Sequence, residues 1–184
     1  MHTHLSHDNI AYTGAQLRSL WIYRTFGLQG DAIVAFVGPC DVKLSEMVDQ
    51  ADVIAGDSIY SEKMLHFIAE HFEMDLEKTI LRQRLLVALA RDLLAELSGA
   101  LIVRDGDDLM DGDRKLSVSI ATLTRVSSII HFGINISSRN TPVPTKGLDD
   151  YGIDPTAFAQ KLLDRYQAEC DSIRLARCKV KGVE

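Results

Sequence analysis

Apolar positions fall into blocks of different period along this chain. Ala32-Ile-Val-Ala-Phe-Val-Gly38 is an uninterrupted apolar run between Gly30 and Pro39, which predicts a buried strand. From Tyr60 to Phe72 the residues Met64, Leu65, Ile68 and Phe72 recur at helical spacing, with Ser58 or Ser61 placed to cap, and this predicts a first helix. A second helix is predicted from about Leu76 to Leu97. Leu81, Leu85, Leu89, Leu93 and Leu97 form its stripe, Leu86 and Leu94 widen it, and Ser98-Gly99 ends it. Ala100 to Val103 reads as a short strand and 104–113 as rich in turn formers. Two β-type runs, 115–122 and 126–137, flank Leu123-Thr124-Arg125, and 139–150 reads as a loop. Asp154 caps and Pro155 opens a last helix to about Ser172, with Phe158, Leu162, Leu163 and Tyr166 inward. Helices first and a hairpin later predict an α+β fold: a largely antiparallel sheet backed by helices.

The 184 residues suit one domain, with 10–184 as the folded unit and 1–9, carrying His2, His4 and His7, as a flexible tail. With 46% hydrophobic and 25% charged residues the chain is neither disordered nor collagen-like. No apolar stretch approaches the roughly 18 residues of a membrane span. A net charge of −6, from 20 Lys+Arg against 26 Asp+Glu, lacks the basic footprint of a nucleic-acid partner. The polar start is no secretory signal. Cys40, Cys170 and Cys178 are odd in number and form no CxxC pair, which suits free thiols in a reducing cytoplasm.

The chemistry concentrates in the hairpin. Strand side chains alternate, so Leu116, Val118 and Ile120 share one face and Lys115, Ser117 and Ser119 the other. In the second run Val126, Ile130, Phe132, Ile134 and Ile136 share a face, opposite His131, Gly133 and Asn135. Placing the two apolar faces on one side of the sheet, through a three-residue loop, restricts the register to even offsets. Lys115 then lies close to Gly133 and Asn135, and Ser117 and Ser119 close to His131. A ligand could approach the backbone at Gly133, beside a lysine suited to a carboxylate or phosphate. A solvated polar face is the simpler account of the alternation alone.

The stretch from Arg104 to Ala121, with His131-Phe-Gly-Ile-Asn-Ile136, resembles the biotin and lipoate protein ligases. Asp107-Asp108-Leu109, Arg114-Lys115-Leu116 and Gly133-Ile134-Asn135-Ile136 match their N-D-L, R-K-L and G-I-N-V blocks in order. The whole chain also resembles family 366 of the domains of unknown function. The resemblance implies a ligase-like fold and a site for a small carboxylate or activated acyl ligand, with ligation or acyl transfer onto an acceptor such as a protein. It assigns Lys115 to the reacting carboxylate or acyl phosphate and Asp108 to the ligand's side. Arg104, Ser117, Gly133 and Asn135 join them as binding residues. ATP with magnesium is the implied cofactor, but the glycine- and arginine-rich nucleotide loop of the biotin-adenylating ligases is not recognised, and Val118 and His131 stand where the pattern has glycine. No cysteine sits in a matching motif for a thiol-based transferase.

His131, with a side chain that titrates near neutrality, is the candidate general acid/base beside Lys115. No residue is assigned to a metal. The runner-up functions are a non-catalytic small-molecule binding protein and, more weakly, a metal-dependent hydrolase using His66, Glu70 and His71, whose spacing fits no familiar zinc signature. The aspartates 105–113 lack calcium-loop spacing. Tyr12, Gln16, Ser19 and Trp21 could line a pocket or pack in the core. Exposed edge strands suit a homodimer.

Overall fold

The computed structural model describes residues 1–56 and 59–183, so Ser58 lies outside it. Among the described residues eight strands and four α-helices follow one another: β1 (His2–Asn9), α1 (Trp21–Phe26), β2 (Ala32–Val42), α2 (Gln50–Ala55), β3 (Ile59–His71), α3 (Leu76–Ser98), β4 (Val103–Asp105), β5 (Asp108–Asp111), β6 (Arg114–Lys115), β7 (Ser117–Leu123), β8 (Ser128–Asn135) and α4 (Pro155–Ala176). The main sheet has the order β1-β2-β3-β8-β7, and β4, β5 and β6 form a second, small sheet. Only β1 and β2 run parallel; the other pairs are antiparallel. The α+β architecture expected from the sequence is therefore present.

Helices α3 and α4 cover one face of the main sheet. Ile33, Ala35, Leu65, Phe67, Ala69, Ile130, Phe132 and Ile134 point to that side and pack with Leu86, Val87, Ala90, Leu93, Phe158 and Leu162. The opposite face holds Val34, Phe36, Met64, Ile68 and Ile129 beneath Tyr12, Trp21, Ile22 and Met47. Three local expectations are met: Asp154 accepts from the Ala157 amide as cap of α4, Gly99 ends α3 with φ 67°, and Ala32–Gly38 lies within β2.

Four other expectations are corrected. Residues 60–71 of the expected helix are strand, and Phe72 lies just past its end. β3 is central in the sheet and buried on both faces from Met64 to His71, so it shows no alternation and its apolar residues mimic a helical stripe. Residues 2–9 are strand, not tail. β1 pairs with β2 from His2↔Ala32 onward, and the His4 ring packs against Phe26 at 4.9 Å. A tail with an exposed side has little apolar content, but the open edge of β2 gives its backbone partners. In α3 the buried stripe runs through Thr79, Gln83, Leu86, Val87, Ala90, Leu93 and Leu94, whereas Leu81 is 63% exposed. The expected strand at Ala100–Val103 is also displaced, to Val103–Asp105.

The β7–β8 register decides the site. Ser117 pairs with Ile134, Val118 with Gly133 and Ile120 with His131. The turn spans Thr124 to Ser127, with the Thr124 amide donating to Ser127 O at 2.8 Å. The loop has four residues, not three, and the offset is odd. Ser117 and Ser119 therefore face the helices with Phe132 and Ile134, while Val118 and Ile120 share the other face with His131, Gly133 and Asn135. Matching apolar faces failed as a rule because β8 is buried throughout and has no solvent face to match.

Segment 10–12 is laid tightly along β2 beyond the end of β1. The Ile10 and Tyr12 amides donate to Val37 O and Pro39 O at 3.0 and 2.9 Å, and Asp41 N returns a bond to Tyr12 O at 3.0 Å. Gly38 permits it: a Cβ there would lie 2.0 Å from Ile10 O. Gly38→Ala is expected to lower unfolding stability by about 3 kcal/mol, measured by chemical denaturation, because backbone on both sides must move.

Candidate functional site

A cleft of about 450 Å³ opens beside the edge strand β7, and Lys115, Asp108, Ser117 and Asn135 are among its lining residues. β5 and β6 bring Asp108 and Lys115 together: Lys115 Nζ donates to Asp108 Oδ2 at 2.8 Å, with both side chains about one-third exposed. Lys115 is held from its backbone as well, its amide donating to Pro144 O at 3.0 Å and its carbonyl accepting from Lys146 N at 3.1 Å. Burial raises the Asp108 carboxyl above the ordinary carboxylate value, against the opposing pull of Lys115.

Asn135 comes from the end of β8. It is 6% exposed, its backbone amide donates to Leu116 O at 2.9 Å, and its side chain has no hydrogen-bond partner among the described residues. Ser117 Oγ accepts from the Leu109 amide at 2.9 Å, which ties β7 to the small sheet. Asp107, in the same wall, is committed to α3: it accepts from Gln83 Nε2 at 2.8 Å and pairs with Arg84 at 3.0 Å. Asp49 caps α2, accepting from the Ala51 amide at 2.8 Å. Lys115 is thus the one cation among the described residues of the lining.

Three predicted site residues stand elsewhere. Arg104 is exposed and donates to Gly106 O in its own turn. Gly133 offers no opening: a Cβ there would lie 2.9 Å from Met64 Cε and 3.2 Å from His131 Cε1, so neighbouring side chains already fill the gap. His131 is 2% exposed, and its Nε2 lies 3.1 Å from His66 Nδ1, while His66 Nε2 lies 3.3 Å from Gly38 O. The Tyr12 ring stacks on His131 with centroids 3.7 Å apart and planes 6° apart. Burial holds His66 down to about 3, and burial together with His66 holds His131 well below its ordinary value, so both imidazoles stay neutral. His131 is not grouped with Ser117 and Ser119 as the even register required.

The hydrolase constellation does not assemble. His66 is committed to His131, Glu70 accepts from the Leu20 amide at 2.9 Å and Ser127 Oγ at 2.6 Å, and His71 lies on the other sheet face 3.0 Å from Tyr166 OH. Among the described residues no group of three or more His, Cys, Asp or Glu could hold a metal. No described helix is long and apolar enough to cross a membrane.

Sequence reasoning missed Ser61 and Met64, because their segment reads as helix, and Thr145, which reads as loop. The two prolines at 142 and 144 were the available signal that this loop holds a fixed shape against Lys115. A narrow crevice of about 40 Å³, walled by Tyr12, Val118, Ile120 and His131 among others, adjoins the cleft.

Residues 1–181 match the model of a family described as Domain of unknown function (DUF366). An uncharacterized protein of Methanocaldococcus jannaschii is 39% identical over 173 residues, covering 90% of this chain and 78% of its own. A protein of unknown function from Pyrococcus horikoshi has the same fold with a TM-score of 0.94, 37% identity and complete coverage of both chains. A biotin protein ligase from Aquifex aeolicus in complex with biotin gives 0.62 at 14% identity, covering 93% of this chain and 70% of that one. A T. acidophilum protein with bound lipoic acid gives 0.57 at 14%, covering 92% and 85%. The last two likenesses are of fold.

The imidazole pair makes stability depend on pH. Folded, the groups stay neutral; unfolded, they titrate near 6.5, so below that pH the unfolded chain binds more protons and stability falls as pH falls. Denaturation midpoints measured from pH 7 to 5 are expected to drop, with each imidazole adding up to about 1.4 kcal/mol per pH unit.

Proposed function

The chain belongs to the DUF366 family, and we propose that it binds a small carboxylate or activated acyl group in the cleft at Lys115. The observation that carries this reading is the convergence of a half-buried ammonium and an unpartnered amide on one cavity. The Asn135 side chain has no protein partner, and no buried side-chain polar atom is left unpaired among the described residues, so its amide opens to the cleft, where a ligand oxygen can accept from it as well as from Lys115 Nζ. Asp108 fixes the lysine without saturating its three donors. Biotin and lipoic acid, held by the two more distant structural neighbours, are both carboxylic acids, which supports the ligand class.

Were the ligand activated, a carboxylate oxygen would attack the α-phosphorus of ATP, forming an acyl-adenylate and releasing pyrophosphate. Lys115 would then neutralise charge on the acyl or phosphate oxygens. The sequestered His131 favours the second reading, binding without turnover. It is neutral, paired and separated from Lys115, so the expected acid/base does not serve this cleft. None of the three cysteines lines the cleft, which gives a thiol-based transfer no support.

Isothermal titration of the purified chain with a panel of carboxylic acids tests the reading. Lys115→Ala is expected to weaken the best acid on the order of tenfold or more, the loss of a charged hydrogen bond. Unchanged affinity in a folded variant rejects it. Pyrophosphate release on adding ATP, magnesium and that acid marks a ligase; retained binding without release marks a binding module.

A further inference from the structure

We propose that the ligand of this cleft is an elongated acid with a second hydrogen-bonding group at its far end, and that Tyr12 is the residue that reads it. This rests on the carboxylate reading of Lys115 and extends it to the ligand's other end.

Cleft and crevice are continuous: Asp49, Asp52, Ile59, Val118 and Ser119 line both. The crevice is lined by Leu17, Val42, Met47, Val118 and Ile120 together with the acids Glu46, Asp49 and Asp52. Tyr12 adds a neutral hydrogen-bonding group, which suits the uncharged tip of an anionic ligand better than a carboxylate does. The residue is 3% exposed, and its hydroxyl has no hydrogen-bond partner among the described residues. The tyrosine cannot turn to find one, because its ring lies flat on His131 and its backbone is bonded to Pro39 and Asp41. With no buried side-chain polar atom left unpaired among the described residues, that hydroxyl opens to the crevice, where it can hydrogen-bond the tip of a ligand.

Asn135 and His131 lie on one face of β8, and Tyr12 is stacked on the latter, so the ligand runs from the cleft at Lys115 and Asn135 into the crevice at Tyr12. The cleft of about 450 Å³ accepts a bulky middle, but the crevice of about 40 Å³ does not. At roughly 10–15 Å³ per water-sized occupant, it takes a slim tip of about three atoms. A hydroxyl or carbonyl on an aliphatic chain fits; a fused ring does not.

Hexanoate and octanoate, titrated against ω-hydroxyhexanoate and ω-hydroxyoctanoate, test this. The native chain is expected to prefer one hydroxy acid over its parent on the order of tenfold. Tyr12→Phe, which keeps the ring on His131, is expected to abolish the preference, and Lys115→Ala to weaken both acids alike. Hydroxy and parent acids that bind equally, yet weaken with Lys115→Ala, overturn the role of Tyr12 and leave the carboxylate site standing. If none of the four binds while another carboxylic acid of the panel does, this inference falls alone; if no acid of the panel binds, the carboxylate reading falls and this inference with it. The native chain's own preference is a sufficient readout should the tyrosine variant fail to fold.

Discussion

A hydrogen bond between two neutral imidazoles, His66 on β3 and His131 on β8, sets the frame of the site. It joins adjacent strands at the middle of the sheet, and it exists only while one ring donates and the other accepts. Its neighbours follow from it. The edge of His131 occupies the space that Gly133 leaves, Met64 closes the remainder, and the ring's face becomes the platform on which Tyr12 lies. The histidines therefore shape the wall of a cavity, and their desolvation keeps them out of proton transfer. What faces the cleft and its adjoining crevice is what they leave uncovered: Val118 and Ile120 on β7 and the amide of Asn135.

Around this frame the cation is positioned by backbone. Lys115 sits in the shortest strand, two residues long, between β5 and the segment at 144–146. Its carbonyl and amide are both used, so the direction in which its side chain leaves is fixed before Asp108 pairs with it. The acidic residues nearby are spent on structure: Asp107 on α3, Asp49 on α2, and Asp111 on Lys146 and Tyr151 at 2.6 Å each. A chain of negative net charge thus retains one positive group among the described residues that line this cleft.

Much of the fold could be read from residue patterns where one face of an element meets solvent. α4 announces itself through Asp154 and Pro155, and the end of α3 through Gly99. Lys115, Asp108 and Asn135 were reachable through the hairpin's motif blocks and Ser117 through strand alternation, and all four line one cleft. The failures share a cause. β3 and β8 are covered on both sides, so neither shows which face points where; the former imitated a helix, and the latter allowed an odd register to pass for an even one. Arg104 was misjudged because turns place charged residues by local backbone geometry. Gly133 was misjudged because a missing side chain says nothing about what fills its place.

The pairing of β3 with β8 also bears on how the chain reaches this state. Phe67 meets Phe132, and His66 meets Gly133, across some sixty-five residues of intervening chain that include the whole of α3. Such a ladder cannot grow outward from a neighbouring turn. Its ends must find one another after a large loop has been closed, and the entropy of that closure is spent before any of the central bonds repay it. Helix α3 fills much of that loop and packs on β7 and β8. The seam that holds the buried imidazoles is thus a contact of high sequence separation, which a local turn cannot template.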